Sequence, residues 1–93
     1  MEIIWSSKAL SDVSRLYEFL ASVNKNAARR AKQVLIKAPA ILLSNPRIGE
    51  QLFEFELREV RRILIGDYEI RYEIKSSTIF VLRVWHTREN RSV

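Results

Sequence analysis

The sequence has no cysteine, one histidine, two glycines and two prolines among 93 residues. Without cysteine there is no disulfide and no thiol nucleophile, and the composition fits a reducing compartment. One histidine alone leaves no ligand set at metal-binding spacing, so no metal is expected. Two glycines cannot build a glycine-rich phosphate loop. A serine, a histidine and an aspartate are available, but no nucleophile-elbow motif brings them together. No cofactor is expected. Long hydrophobic runs are also missing. The stretch 38–43 is far shorter than the ~20 residues that span a bilayer. The N-terminus, Met1-Glu2-Ile3-Ile4-Trp5, has no basic stretch before a long apolar run. No secretory signal is read there, and the expected location is the cytoplasm, with no membrane partner.

What remains is a chain with 47% hydrophobic residues, enough for a packed core and against disorder. A chain of this length buries roughly 65 per cent of its unfolded surface, which supports one two-layer domain over residues 1–93. Sixteen basic residues stand against eleven acidic ones, a formal +5. Such an excess points to an acidic partner, either nucleic acid or an acidic protein segment.

The few glycines and prolines divide the chain into a helical first half and a strand-rich second half. Glu2–Trp5 is short, apolar and β-favouring. Ser6 or Ser7 can cap a helix starting there. Leu10, Val13, Leu16, Tyr17, Leu20 and Val23 then recur at helical spacing, which predicts an amphipathic helix over 7–22. Asn24 or Asn26 can cap a second helix, with Ala27, Ala28, Ala31, Val34, Leu35, Ala38, Ile41 and Leu42 as its apolar set. The pair forms an αα-hairpin. Pro39 predicts a kink, or else a break in which it restarts the last turns. Asn45-Pro46-Arg47-Ile48-Gly49 ends the helix. Residues 50–57 read as loop or strand fragment. Residues 58–65 are β-rich, Gly66-Asp67 is a turn, and Tyr68–Lys75 alternates with period two. Ser76-Ser77 is a second turn. Thr78–His86 is apolar on both parities and reads as a central strand. The expected fold is two-layer α+β, in the order β-α-α-β-β-β. A helical hairpin covers one face of a mainly antiparallel four-stranded sheet.

Arginine is the abundant chemical resource. Arg58, Arg61, Arg62, Arg71, Arg83, Arg88 and Arg91 all lie in the strand-rich half. A planar guanidinium suits carboxylates and phosphates. The plainer reading pairs these arginines across strands with Glu59, Glu69, Glu73 and Glu89. Glu54 and Glu56 read as charged loop residues. His86, at the end of the last strand, is the one histidine that could act as acid or base. Trp5 and Trp85 read as packing residues.

Several segments together resemble the ParE/RelE superfamily of toxins from bacterial toxin–antitoxin modules. They are Trp5-Ser6 with Ala9 and Asp12; residues 43–49; Arg58-Glu59-Val60; Gly66-Asp67-Tyr68 with Arg71-Tyr72; and Val84-Trp85-His86-Thr87-Arg88. The resemblance spans nearly the whole chain and rests on their order and spacing. It implies the same β-α-α-meander fold and a growth-inhibiting toxin of a type II, plasmid-stabilisation kind, neutralised by a cognate antitoxin. Toxin–antitoxin hetero-oligomers are part of that expectation. RelE-like members are ribosome-dependent mRNA endoribonucleases; ParE-like members inhibit DNA gyrase. The ribonuclease branch usually carries an arginine directly after the first tyrosine of the penultimate strand. Here Glu69 follows Tyr68, and no tyrosine follows Tyr72. The Trp-His-Thr-Arg ending is closer to the ParE side. The ParE-like reading therefore leads, with no catalytic residues and with Arg58, Arg61, Arg62, Arg83, Arg88 and Arg91 as target contacts. In the ribonuclease alternative, with ribosome and mRNA as partners, Arg71, Arg83, His86 and Arg88 would form the site. On the helical hairpin, Leu16, Leu20, Val34 and Leu35 are the expected antitoxin contacts.

Overall fold

A computed structural model describes residues 1–89. The order of elements is β1 (Glu2–Trp5), α1 (Ser7–Ala21), α2 (Lys25–Lys37), a 3-10 turn (Ala38–Ala40) and α3 (Ile41–Ser44). After these come β2 (Glu50–Gln51), β3 (Glu59–Ile65), β4 (Tyr68–Lys75) and β5 (Thr78–His86). Ser6 caps α1, its hydroxyl accepting from the Ala9 N–H. Asn24 caps α2 in the same way through Ala27. Each cap satisfies an amide that the first helical turn leaves without a partner. Pro39 lies inside the 3-10 turn, so the long second helix breaks there and restarts as α3. The break with restart, not the simple kink, is what forms.

The sheet has the order β1-β5-β4-β3-β2. β1 runs parallel to β5, and every other pairing is antiparallel. The expected four strands are five, because Glu50 and Gln51 pair with Arg62 and Arg61. Two residues of pairing leave too weak a pattern to read from sequence. Ser76 and Ser77 both take positive φ, 49° and 59°. That is the twist a two-residue hairpin requires, adopted here without glycine.

One face of the sheet meets the helices. Leu16, Leu35, Leu42, Ile63, Ile70, Tyr72, Ile79, Val81 and Val84 form the core with Ala9 and Val13. Burying each large side chain contributes about 1.5–3 kcal/mol. β5 is central, as its double-sided apolar pattern implied, but a bulge adds to that pattern. Arg71 pairs with Arg83 and Tyr72 with Val81, leaving Leu82 extra. The bulge changes parity, so Val81 and Val84 both reach the core.

Tyr72 ties the helix exit to this core. Its ring is fully buried, and its hydroxyl donates to the Pro46 carbonyl at 2.7 Å and accepts from the Gly49 N–H at 3.1 Å. Burial pushes the phenol pKa up, so the hydroxyl keeps its proton to donate. Gly49 has no room for a side chain. A Cβ there would lie 2.6 Å from both the Arg62 carbonyl and the Tyr72 hydroxyl. Gly66 differs: its φ is +57° and open space surrounds it. Gly49→Ala is expected to cost about 3 kcal/mol through overpacking. Gly66→Ala should cost about 1–2 kcal/mol through backbone strain alone. Urea denaturation of the two variants tests the difference, and equal losses would contradict the close approach at Gly49.

Candidate functional site

The face of the sheet turned away from the helices carries a row of arginines. Arg62, Arg71 and Arg83 stand directly opposite one another on β3, β4 and β5. Like charges in that register repel. Three devices offset the repulsion. Glu69, 1% exposed, accepts from Arg62 and from Arg71, each at 3.3 Å. Arg62 also donates to Glu50 at 2.8 Å. Arg71 lies over the Trp85 ring at 4.7 Å and the Phe55 ring at 5.7 Å, and Arg83 lies over Trp85 at 4.9 Å. Such cation–aromatic contacts strengthen when water is excluded. One atom is left over: the Arg71 Nε is buried without a hydrogen-bond acceptor.

Arg83 reaches past the sheet edge to Asp12 on α1, donating at 2.8 and 3.1 Å. Asp12 is 2% exposed and also accepts from the Val84 N–H at 2.9 Å and from Arg15. Burial by itself would raise its pKa. The bonds from Arg83, Val84 and Arg15 outweigh that and hold the carboxyl below its ordinary value. The edge of β5 beyond β1 is thus closed by α1. Ser6 N–H donates to the Val81 carbonyl, Ser6 hydroxyl to the Leu82 carbonyl, and Arg15 to the Val84 carbonyl.

Two more of the expected target arginines, Arg58 and Arg61, are also committed. Arg58 donates twice to Glu73, at 3.1 and 2.9 Å. Arg61 faces the core side, where it donates to Glu59 at 2.9 Å and to the Gly49 carbonyl at 2.8 Å. Arg61 holds the loop and does not present itself to a partner. Glu59, Glu69 and Glu73 do pair with arginines, but of these pairs only Arg62–Glu69 joins two strands. Arg58 meets Glu73 from just before β3, Arg61–Glu59 and Arg71–Glu69 run along one strand, and Glu89 pairs with Arg15 instead. Arg88 has no ion pair among the described residues, and its N–H donates to His86 Nδ1 at 3.1 Å. Arg91 lies outside the described residues.

A cleft of about 560 Å³ opens on the helix side, between α1 and the β3–β4 turn. Leu16, Phe19, Leu20, Tyr68 and His86 form its walls, with Arg15, Asp67, Arg88 and Glu89 around the rim. The Tyr68 and His86 rings meet edge to face at 5.4 Å. Because His86 Nδ1 accepts a hydrogen bond, the neutral ring carries its proton on Nε2. Burial first, then the Asp67 charge, push the Tyr68 phenol pKa up. It is therefore not a base at neutral pH.

His86 is paired with Tyr68 on the core side, while Arg71 and Arg83 share the opposite face with Trp85. Adjacent strand residues point to opposite faces. The four-residue ribonuclease constellation of Arg71, Arg83, His86 and Arg88 is therefore split between the two faces. Two of the expected antitoxin contacts also fall inside the protein: Leu16 is 6% and Leu35 1% exposed. They pack against the sheet because the helical stripe that looks apolar in sequence is the one that faces the core. Leu20 lines the cleft, and Val34 is exposed on α2. Among the described residues no group of three or more His, Asp or Glu is placed to hold a metal.

The ParE toxin of the type II toxin–antitoxin system parDE is described by a family model that matches residues 3–91. The chain belongs to this family. It is 26% identical over 85 residues to Toxin RelE2 of Caulobacter vibrioides, covering 91% of this chain and 93% of that protein. The fold matches a chain from the chromosomal ParDE system of P. aeruginosa with a TM-score of 0.75. That match has 20% identity and covers 92% and 95% of the two chains. A chain of the RelB–RelE antitoxin–toxin complex from Methanococcus jannaschii matches with a TM-score of 0.54. There too the identity is 20%, over 91% of each chain. The residues that carry the ParE resemblance are largely those that hold the fold: Ser6, Asp12, Pro46, Gly49, Tyr72 and Val84.

Asp12 is missed as a site residue in sequence, where it counts only as a polar residue between the apolar positions of the helix and as part of the family pattern. The signal that could have found it is that Ala9, Asp12, Val13 and Leu16 fall on one helical stripe, where an aspartate needs cationic partners. Phe55 gave no such signal, because only the fold brings its ring over Arg71. Arg15 and Arg83 keep 42% and 34% of their side chains exposed, so losing Asp12 leaves them solvated. Asp12→Asn is therefore expected to cost about 2–3 kcal/mol near neutral pH, below the full cost of orphaning a buried charge. The carboxyl's pKa is lowered in the fold, so its stabilisation is complete above the unfolded pKa. It fades as pH falls through the folded value. Denaturation of both proteins between about pH 7 and about pH 2.5 should show the gap narrowing below about pH 4; a constant gap would contradict the role of the charge.

Proposed function

We propose that residues 1–93 act as one toxin domain, the toxin component of a type II module, which arrests growth by binding DNA gyrase. A cognate antitoxin neutralises it, and the two form a hetero-oligomer. The observation that carries the gyrase reading is the separation of His86 from Arg71 and Arg83. A ribonuclease needs a cation and an acid or base within reach of one phosphate. Here the sheet arginines are held by Glu69 and Asp12, and His86 opens into an apolar cleft on the other face. A surface of this kind is suited to binding a protein without cutting a substrate. Glu69, buried between two arginines, occupies the place where the ribonuclease branch usually carries an arginine. Action on gyrase places the protein in the cytoplasm, and no helix among the described residues is long and apolar enough to cross a membrane.

The antitoxin reading is supported by the family and by the solved neighbours, whose names describe a ParDE system and a RelB–RelE complex. The cleft beside α1 offers the apolar part of the docking surface. Phe19 on its wall is 72% exposed, a large ring left in water unless a partner covers it. Leu20 continues that wall, and Val34 adds a second apolar point on α2.

Inducing the chain in bacteria without antitoxin should relax or cleave DNA while mRNA stays intact. Cleaved mRNA with normal supercoiling would replace this reading with the endoribonuclease one. For the antitoxin, Phe19→Ser should weaken the complex about tenfold in titration calorimetry, as loss of a partly buried aromatic anchor does. Thermal stability should be nearly unchanged, because the ring is outside the core. An unchanged affinity would move the docking surface away from the cleft.

A further inference from the structure

The molecule's surplus charge does not lie where its arginines are most numerous. α2 contains Lys25, Arg29, Arg30, Lys32 and Lys37 and no carboxylate. Those five cations equal the whole formal charge of +5; elsewhere the chain balances at eleven cations and eleven carboxylates. Among the described residues no ion pair involves α2. The Lys32 ammonium lies over the Tyr17 ring at 5.5 Å.

This helix carries repulsion that its own fold does not relieve. Lys25 and Arg29 are four residues apart and Arg29 and Lys32 three apart, so they are neighbours on the helix surface. Lys25 also sits in a first turn without any acidic residue, against the sense of the helix dipole. The Asn24 cap and the burial of Ala28 and Leu35 hold the helix in place regardless. Lys25, Arg29 and Lys32 form one row about 10 Å long, Arg30 and Lys37 stand on the adjoining flank, and the five cations together span about 18 Å of the helix axis. Tyr17, Arg29, Lys32, Gln33, Ile36 and Lys37 surround a shallow depression of about 340 Å³ on this face. Three cations and an amide donor around a hollow match the side chains that contact phosphate oxygens.

We propose that the outer face of α2 docks on the phosphate backbone of duplex DNA. A duplex presents a fixed charge about every 1.7 Å of axis, which cations held on one rigid helix can meet along its length. An acidic peptide carries its charges on flexible side chains and must be ordered on binding. Single-stranded RNA is held by bases stacked on open aromatic rings. The aromatic ring at the hollow, Tyr17, already carries Lys32. The contact reads no base sequence, since phosphate contacts position a protein without specifying a site.

The full chain, free of antitoxin and gyrase, is titrated against a labelled random-sequence duplex of about 20 base pairs by fluorescence anisotropy. Affinity should fall about a hundredfold between about 50 and about 200 mM salt, with a log–log slope near −3 to −4. Replacing Arg29, Arg30, Lys32 and Lys37 together by Gln, also a good helix former, should bring the slope close to zero and lose most of the binding. Circular dichroism checks that the fold is kept. Lys8→Gln with Lys75→Gln, which removes charge away from α2, should leave the slope almost unchanged. Duplex binding that survives the fourfold variant would overturn the proposal. So would a polyglutamate peptide that competes as well per charge as DNA, or single-stranded RNA that binds more tightly than duplex. None of these outcomes depends on which target the toxin inhibits.

Discussion

The carboxylate of Asp12 is the constraint on which much of this fold rests. β1 is only four residues long and pairs with β5 as far as Val81. Past that point β5 would be an open edge, with amide and carbonyl groups seeking partners. Asp12 takes the Val84 N–H and two guanidinium groups at once, and Arg15 and Ser6 take the carbonyls on either side. A helix thereby completes a sheet edge that a strand leaves unfinished. The same carboxylate fixes where α1 crosses the sheet, and so where the cleft beside Phe19 and His86 opens.

A second consequence concerns charge. A row of three arginines across β3, β4 and β5 suggests a strongly positive face, yet the fold supplies three counter-charges and an aromatic ring against it. Glu69 lies along β4, Glu50 comes from β2, Asp12 from α1, and Trp85 offers an aromatic face. A guanidinium held in two directions has little left for an outside phosphate. The field that extends into solvent is set instead by cations outside any ion pair, and those are concentrated on α2. Abundance of arginine and availability of positive charge are different properties of this protein.

Much of the architecture was legible. The 3.6-residue stripes gave both helices, and the two-residue period gave β4 almost to the residue. The turns at Gly66-Asp67 and Ser76-Ser77 and the central position of β5 came from local chemistry. β2 was not legible, because two paired residues have no period of their own. The bulge at Leu82 was hidden for a related reason. It changes the side-chain parity within a strand that is apolar on both faces, so no break in pattern marks it. The site was harder to read than the fold. Leu16 and Leu35 looked like contacts because their stripe is apolar, but that stripe is the one the sheet covers.

By itself the sequence determined the fold class, the family and the stock of chemistry: many arginines, one histidine, no cysteine. These depend on local periodicity, turn residues and composition, all of which are present before the chain folds. The tertiary structure alone decided which of those residues meet. Strand alternation put His86 on the face opposite Arg71 and Arg83. Register brought Arg62 to Glu69, and the crossing of α1 brought Asp12 to Arg83 over 71 residues of chain. Pairings across such separations depend on the geometry of the packed layers, because electrostatic partners are selected by distance in space and not by spacing along the sequence.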